Sequence, residues 1–108
     1  MGDTQLWLGR WVNQYGSVIE ITEAADGRVA GLFRTALPDS ALAGRDVPLA
    51  GTYDGEAIAC SAAGSGTAVS YTGTLVDGRL ETLWAFVDGS APWWRAITTN
   101  HDTFERRP

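Results

Sequence analysis

Turn signals recur along this 108-residue chain at short, regular intervals. They are Gln14-Tyr15-Gly16, Asp26-Gly27, the longer Pro38–Asp46 stretch, Asp54-Gly55, Gly64-Ser65-Gly66, Asp77-Gly78 and Gly89–Pro92. Asp-Gly between alternating runs is a strong hairpin signal, because both central residues of a type I′ turn need positive φ. The punctuation predicts strands near residues 9–13, 17–23, 28–36, 47–53, 56–63, 67–76, 79–87 and 94–103. No stretch has a helical period. Ala36–Leu42 is the sole candidate, and Pro38 followed by Asp39-Ser40 opens at most a short turn there. Short strands joined mainly by hairpins form a meander, and closing an eight-stranded meander removes its edges. The expected fold is a single all-β domain over residues 1–108, an eight-stranded antiparallel up-and-down β-barrel. Such a barrel has room inside for side chains or one small ligand.

The alternation within strands assigns faces. In the second strand Ser17, Ile19 and Ile21 share one face, and Val18, Glu20 and Thr22 the other. A hydroxyl on the apolar face is the odd feature. Asn13, just before the turn, meets it at the same end of the sheet. Inward polar groups at the end of a β core are either satisfied by neighbours or held for a ligand. In the third strand Val29, Gly31, Phe33 and Thr35 share a face, and in the seventh Leu80, Thr82, Trp84 and Phe86 do. Gly31 and Gly51 fall at inward positions, where a missing side chain makes room or permits a bend. In the last strand Asp102 shares the face of Ala96, Thr98 and Asn100. The expected inward set is Ile19, Ile21, Phe33, Leu49, Ile58, Cys60, Leu80, Trp84 and Ile97. With the barrel closed, Asn13, Ser17, Thr35 and Asp102 converge in one polar cluster inside an aromatic-lined cup, the usual build of a small-molecule site.

Composition narrows the partners. A net charge of −5 argues against nucleic acid, which requires a basic stripe. No apolar segment approaches the ~20 residues that span a membrane as a helix. Cys60 is the one cysteine, so neither an intramolecular disulfide nor a cysteine-based metal site is expected. It sits in the apolar run Ala57–Ala63 and reads as a small buried hydrophobe. Five Trp exceed what so small a core requires, and surplus Trp lines pockets and interfaces. His101 and Asp102 are adjacent, so a strand sends them to opposite faces and they cannot act on one substrate atom. No Ser–His–Asp arrangement can be read either, and the expectation is a binding protein rather than an enzyme.

Three segments carry a resemblance. Gly9-Arg10-Trp11-Val12-Asn13-Gln14-Tyr15-Gly16-Ser17 resembles the opening motif of the avidin and streptavidin family. Gly44–Tyr53, with Pro48-Leu49-Ala50-Gly51-Thr52-Tyr53, is similar to its fourth strand, and Trp94 followed by His101-Asp102-Thr103-Phe104 to its ending. The resemblance runs from Gly9 to Phe104. It implies the same barrel, binding biotin at its open end, with biotin as ligand and no cofactor. By matching motif, Asn13 and Ser17 donate to the ureido oxygen. The third family donor is a tyrosine, and Phe33 stands there, which leaves that oxygen one donor short. Thr35 matches the hydroxyl that accepts one ureido N–H, and Asp102 the carboxylate that accepts the other. Trp84 matches a floor tryptophan, and Trp94 the tryptophan that a neighbouring subunit places over the ligand. Leu37 and Phe86 complete the implied ligand-binding set.

Other family positions are changed. A wall tryptophan falls at Gly64 and the next at Tyr71. The threonine that meets the ligand sulfur falls at Val69, and Thr67 lies near a carboxylate-binding hydroxyl. Asp39 and Asp88 fall near the place of the valerate carboxylate. The resemblance also implies a homo-oligomer, a tetramer with a dimer as the alternative, and partners that are biotin or biotinylated molecules. Outward Ala50, Thr52, Thr72 and Thr74 suit close sheet-to-sheet packing. It implies secretion as well, although Met1–Gln5 shows no signal-peptide pattern, which leaves an intracellular setting open. The competing readings are an avidin-like barrel for another small cyclic or apolar ligand, one that has lost biotin, and a purely structural oligomer.

Overall fold

The computed structural model describes residues 6–108; Met1–Gln5, read above for a targeting signal, lie outside the described residues. Eight strands close into one barrel in sequence order: β1 (Gly9–Asn13), β2 (Val18–Ala25), β3 (Arg28–Arg34), β4 (Val47–Asp54), β5 (Ala57–Gly64), β6 (Thr67–Val76), β7 (Arg79–Asp88) and β8 (Ile97–Arg107). All neighbours are antiparallel, and β1 seals the barrel by pairing with β8 through Val12 opposite Glu105 and Asn13 opposite Phe104. The hairpin chemistry is as expected at two of the three Asp-Gly pairs; at the third, Asp54 is the last residue of β4 and only Gly55 has a positive φ, of 58°. Asp26-Gly27 and Asp77-Gly78 hold φ of 55° and 78°, and of 52° and 81°. Both central residues are left-handed, the geometry that matches strand twist.

Three local departures have physical causes. The last strand begins at Ile97 rather than at residue 94, because Trp93–Arg95 form a single 3₁₀ turn after Pro92. Trp93 and Trp94 are therefore not alternating strand residues. Ile97, expected inside, is 63% exposed and pairs with Val87; the inward face of β8 is that of Thr98, Asn100 and Asp102. In β2 the pairing skips from Ile21–Gly31 to Glu23–Ala30, so Thr22 is an extra residue. This bulge moves the inward position from Glu23 to Ala24, which is buried. The inward glycines are needed for close approach: a Cβ on Gly31 would lie 1.8 Å from the Glu20 carbonyl oxygen, and one on Gly51 2.1 Å from that of Ala59.

In an up-and-down barrel successive turns alternate between its two ends. The Asp26-Gly27, Asp54-Gly55 and Asp77-Gly78 turns share one end with the start of β1 and the end of β8. Trp7 closes that end: it is fully buried, its indole donates to the Gly55 carbonyl at 3.1 Å, and its ring lies 5.9 Å from that of Trp11. Arg106 stacks on the outer side of Trp11, 4.5 Å from the ring centre. Above this base Ile19, Ile21, Phe33, Leu49, Ile58, Cys60 and Leu80 are buried as expected, with Trp84 partly buried against them. The other end receives the turn after β1, the long Thr35–Asp46 connection, the Ser65-Gly66 turn and the β7–β8 connection. The core fills the closed half and leaves a cup at this second end.

Candidate functional site

The cup is a cavity of about 740 Å³, of the size that takes a small organic molecule. Every residue singled out from the sequence lines it except Trp94: Asn13, Ser17, Phe33, Thr35, Leu37, Asp39, Thr67, Val69, Tyr71, Trp84, Phe86 and Asp102.

Its polar floor begins at Asn13, the last residue of β1. The Asn13 Oδ1 accepts from the backbone N–H groups of Tyr15 (3.0 Å) and Ser17 (2.8 Å), closing the turn. With the oxygen fixed, the amide nitrogen has one orientation, and it donates to Asp102 Oδ2 at 2.9 Å. One Asn13 N–H remains unused. The Ser17 hydroxyl accepts from the Ala36 N–H at 2.9 Å, and the Thr35 hydroxyl from the Leu37 N–H at 3.2 Å. Each hydroxyl keeps its own proton to give and a lone pair to offer. These contacts tie the first turn to the start of the β3–β4 connection.

Asp102 is only 4% exposed, and its neighbours fix it without consuming it. Oδ1 accepts from Gln14 Nε2 at 3.3 Å, while Gln14 Oε1 accepts from the Thr103 N–H at 3.2 Å. The buried Thr82 hydroxyl donates to the Asp102 backbone carbonyl at 2.9 Å and fixes β8 against β7. Each carboxylate oxygen still has a free lone pair. Gln14 and Thr82 were not identified as site residues from the sequence. Their partners lie 88 and 20 positions away, so only the closed barrel shows the contacts. His101 points outward from the same strand and pairs with Glu81 Oε1 at 3.0 Å, separate from the cup as the strand alternation requires.

The walls are aromatic. Phe33 and Tyr71 meet across the interior with ring centres 5.9 Å apart, and Tyr71 stands edge-on to the fully buried Phe104 at 5.2 Å. Burial, with the Asp102 carboxylate second, pushes the Tyr71 phenol well above its ordinary pKa, so it remains a donor. Trp84 pairs with Tyr71 on one side and Asn100 on the other, and its buried indole N–H has no hydrogen-bond partner among the described residues. Val69 and Phe86 form the next cross-strand pair towards the mouth.

At the mouth, the space left by Gly64 is filled from the long connection. A Cβ there would lie 3.3 Å from both Leu42 Cδ2 and an Arg45 guanidinium nitrogen. Leu42 is fully buried and lines the cup, a role its sequence position inside a loop did not signal. Arg45 reaches Ser65 across the rim. The Thr67 hydroxyl donates to the Gly64 carbonyl at 2.8 Å, so its proton is committed to the turn. Leu37 and Asp39 are exposed rim residues. Asp88 accepts from the Ser90 hydroxyl at 2.7 Å and its N–H at 2.9 Å; the Ser90 hydroxyl first, then the N–H, holds its carboxyl below the ordinary range. Trp94, 67% exposed on its 3₁₀ turn, lies outside the cup of its own chain.

A closed barrel with a fixed polar floor, aromatic walls and one open end has the build of a small-molecule-binding β-barrel. The avidin family model matches residues 1–107, and the chain belongs to that family. Solved structures agree in fold. A biotin complex of a shwanavidin variant superposes with a TM-score of 0.81 at 24% identity, over 94% of this chain and 97% of that one. Core-bradavidin gives 0.80 at 27% identity, over 91% and 97%. A rhizavidin–biotin complex gives 0.78 at 28% identity, over 93% and 92%.

Proposed function

We propose that this protein is a non-catalytic biotin binder whose cup takes the ureido ring at its floor and the valerate chain towards its mouth. The observation that carries the reading is the set of unused hydrogen-bonding capacities around the floor. Asn13 has one free N–H and Ser17 one free O–H, both suited to a carbonyl oxygen. Thr35 and Asp102 have free lone pairs, suited to two flanking N–H groups. A cyclic urea presents that pattern of one acceptor between two donors. Family membership and the biotin complexes of similar barrels support the same ligand. Phe33, Tyr71, Trp84 and Phe86 supply apolar walls for the bicyclic ring. Isothermal titration with biotin tests the reading: one saturable site per chain is expected, and no heat and no competition at millimolar ligand would overturn it.

The active form we propose is a homo-oligomer. Leu83 and Ile97 are each 63% exposed on the outer face of β7 and β8, and Trp93 is 85% exposed beside Trp94. Large apolar side chains grouped on one face of a small barrel mark an interaction surface. In an assembly Trp94 would cover the cup of a neighbouring chain. A single sedimenting species at the 11.5 kDa monomer mass, at micromolar concentration, would refute this.

A further inference from the structure

Phe33 lines the floor without a polar atom, yet the ring it touches is a tyrosine. Tyr71 reaches Phe33 from β6, on another wall of the barrel, and is held edge-on against Phe104. Its side chain is 5% exposed and lines the cup. No described residue forms a hydrogen bond with its hydroxyl. Its cross-strand neighbour Trp84 carries a buried N–H, so two adjacent donors lining the cup have no acceptor among the described residues.

Resting on the biotin reading, we propose that the Tyr71 hydroxyl is the third donor to the ureido oxygen, delivered from β6 in place of the hydroxyl that Phe33 lacks. The donor count at that oxygen is then complete: Asn13 N–H, Ser17 O–H and Tyr71 O–H. Burial first, and the nearby Asp102 charge second, favour the protonated phenol, which keeps Tyr71 a donor at working pH. The exchange of hydroxyl and bare ring between two touching aromatics leaves the packing volume of the floor nearly unchanged. It also makes Tyr71 the residue that distinguishes a urea oxygen from a group unable to accept a hydrogen bond there.

The test is a double-mutant cycle on the full chain, Tyr71→Phe, Phe33→Tyr and both together, titrated with biotin and with dethiobiotin, which keeps the urea and lacks the sulfur. Tyr71→Phe should lose about tenfold in affinity, the size of one buried hydrogen bond, and by the same factor for both ligands. The unliganded variant should melt no lower than the parent. Phe33→Tyr should gain little alone but restore most of the loss in the Tyr71→Phe background. An unchanged affinity in Tyr71→Phe, or a loss confined to biotin, would overturn the assignment. So would an equal gain from Phe33→Tyr in both backgrounds, a comparison in which a structural effect of either substitution on the unliganded barrel cancels. A parent chain that binds neither ligand overturns the biotin reading, and this inference with it.

Discussion

Replacing Asp102 with alanine should weaken biotin and a biotinyl amide by the same factor. The carboxylate meets the urea end of the ligand, which the two share, and is far from the carboxyl end, where they differ. A hydrogen bond to a charged acceptor contributes about 1.5–3 kcal/mol, which corresponds to roughly ten- to a hundredfold in Kd. The substitution also removes the acceptor of Asn13 Nδ2 at 2.9 Å and of Gln14 Nε2 at 3.3 Å. Since Asn13 is buried, its stranded N–H adds a stability cost of about 1–3 kcal/mol. Asp102→Asn should be nearly as damaging for binding: whichever way its amide faces, an NH2 group meets either the Asn13 NH2 or the ligand N–H. Titrating both ligands into the parent and both variants, with a parallel thermal melt, separates the two effects. A loss for free biotin alone, or an undiminished affinity in Asp102→Ala, would show that the urea does not meet this carboxylate.

At the mouth, Asp39 and Asp88 should disfavour the free carboxylate of biotin relative to a biotinyl amide, weakly and less so at high salt; a strong, salt-independent preference for free biotin in the paired titrations would remove them from the ligand's path. Gly31→Ala should destabilise the barrel by about 3 kcal/mol or more, because the new methyl would lie 1.8 Å from a backbone oxygen that the β2 bulge holds in place; a chemical denaturation midpoint equal to the parent's would contradict this. Cys60 should resist alkylation at pH 8 in the folded state and react on unfolding, since burial pushes its thiol up to about 12. The folded chain then holds a proton that the unfolded chain loses, so the Cys60 contribution to stability is full below pH 9 and falls as the pH rises towards 12; denaturation curves across that window give the sign.

The barrel was legible because its determinants are local. Asp-Gly pairs fixed the hairpins, and period-two alternation fixed the inward faces of β2, β3 and β7. The polar cluster was legible for a related reason: Asn13, Ser17 and Thr35 lie at or one residue beyond strand ends and Asp102 lies within β8, all on faces that alternation assigns. What escaped depends on closure or on broken periodicity. Gln14 and Thr82 serve Asp102 through contacts formed only when β8 meets β1 and β7. Ile97 lies outside because alternation sends it away from the face of Thr98, Asn100 and Asp102; only its apolar side chain had suggested the core. The shift at Thr22 follows from a bulge that Gly31 accommodates on the neighbouring strand, and no pattern within β2 announces it. Trp7 precedes the first strand, and its role as the closing piece is visible only where the Asp54-Gly55 turn passes over it.

Leu42 gives the β3–β4 connection a mechanical character. A segment whose central side chain is sealed among wall residues is a plug with one end in the core. Lifting it would expose a whole leucine, at about 2 kcal/mol, and break the Arg45–Ser65 tie as well. On the leucine alone, the seated position outweighs the lifted one by roughly thirtyfold. An arriving ligand therefore meets a rim already in its final shape and loses little affinity to ordering it. The same anchoring acts on departure: the molecule must leave past Leu37 and Asp39 rather than through a swinging flap, so residence time depends on the width of a fixed doorway.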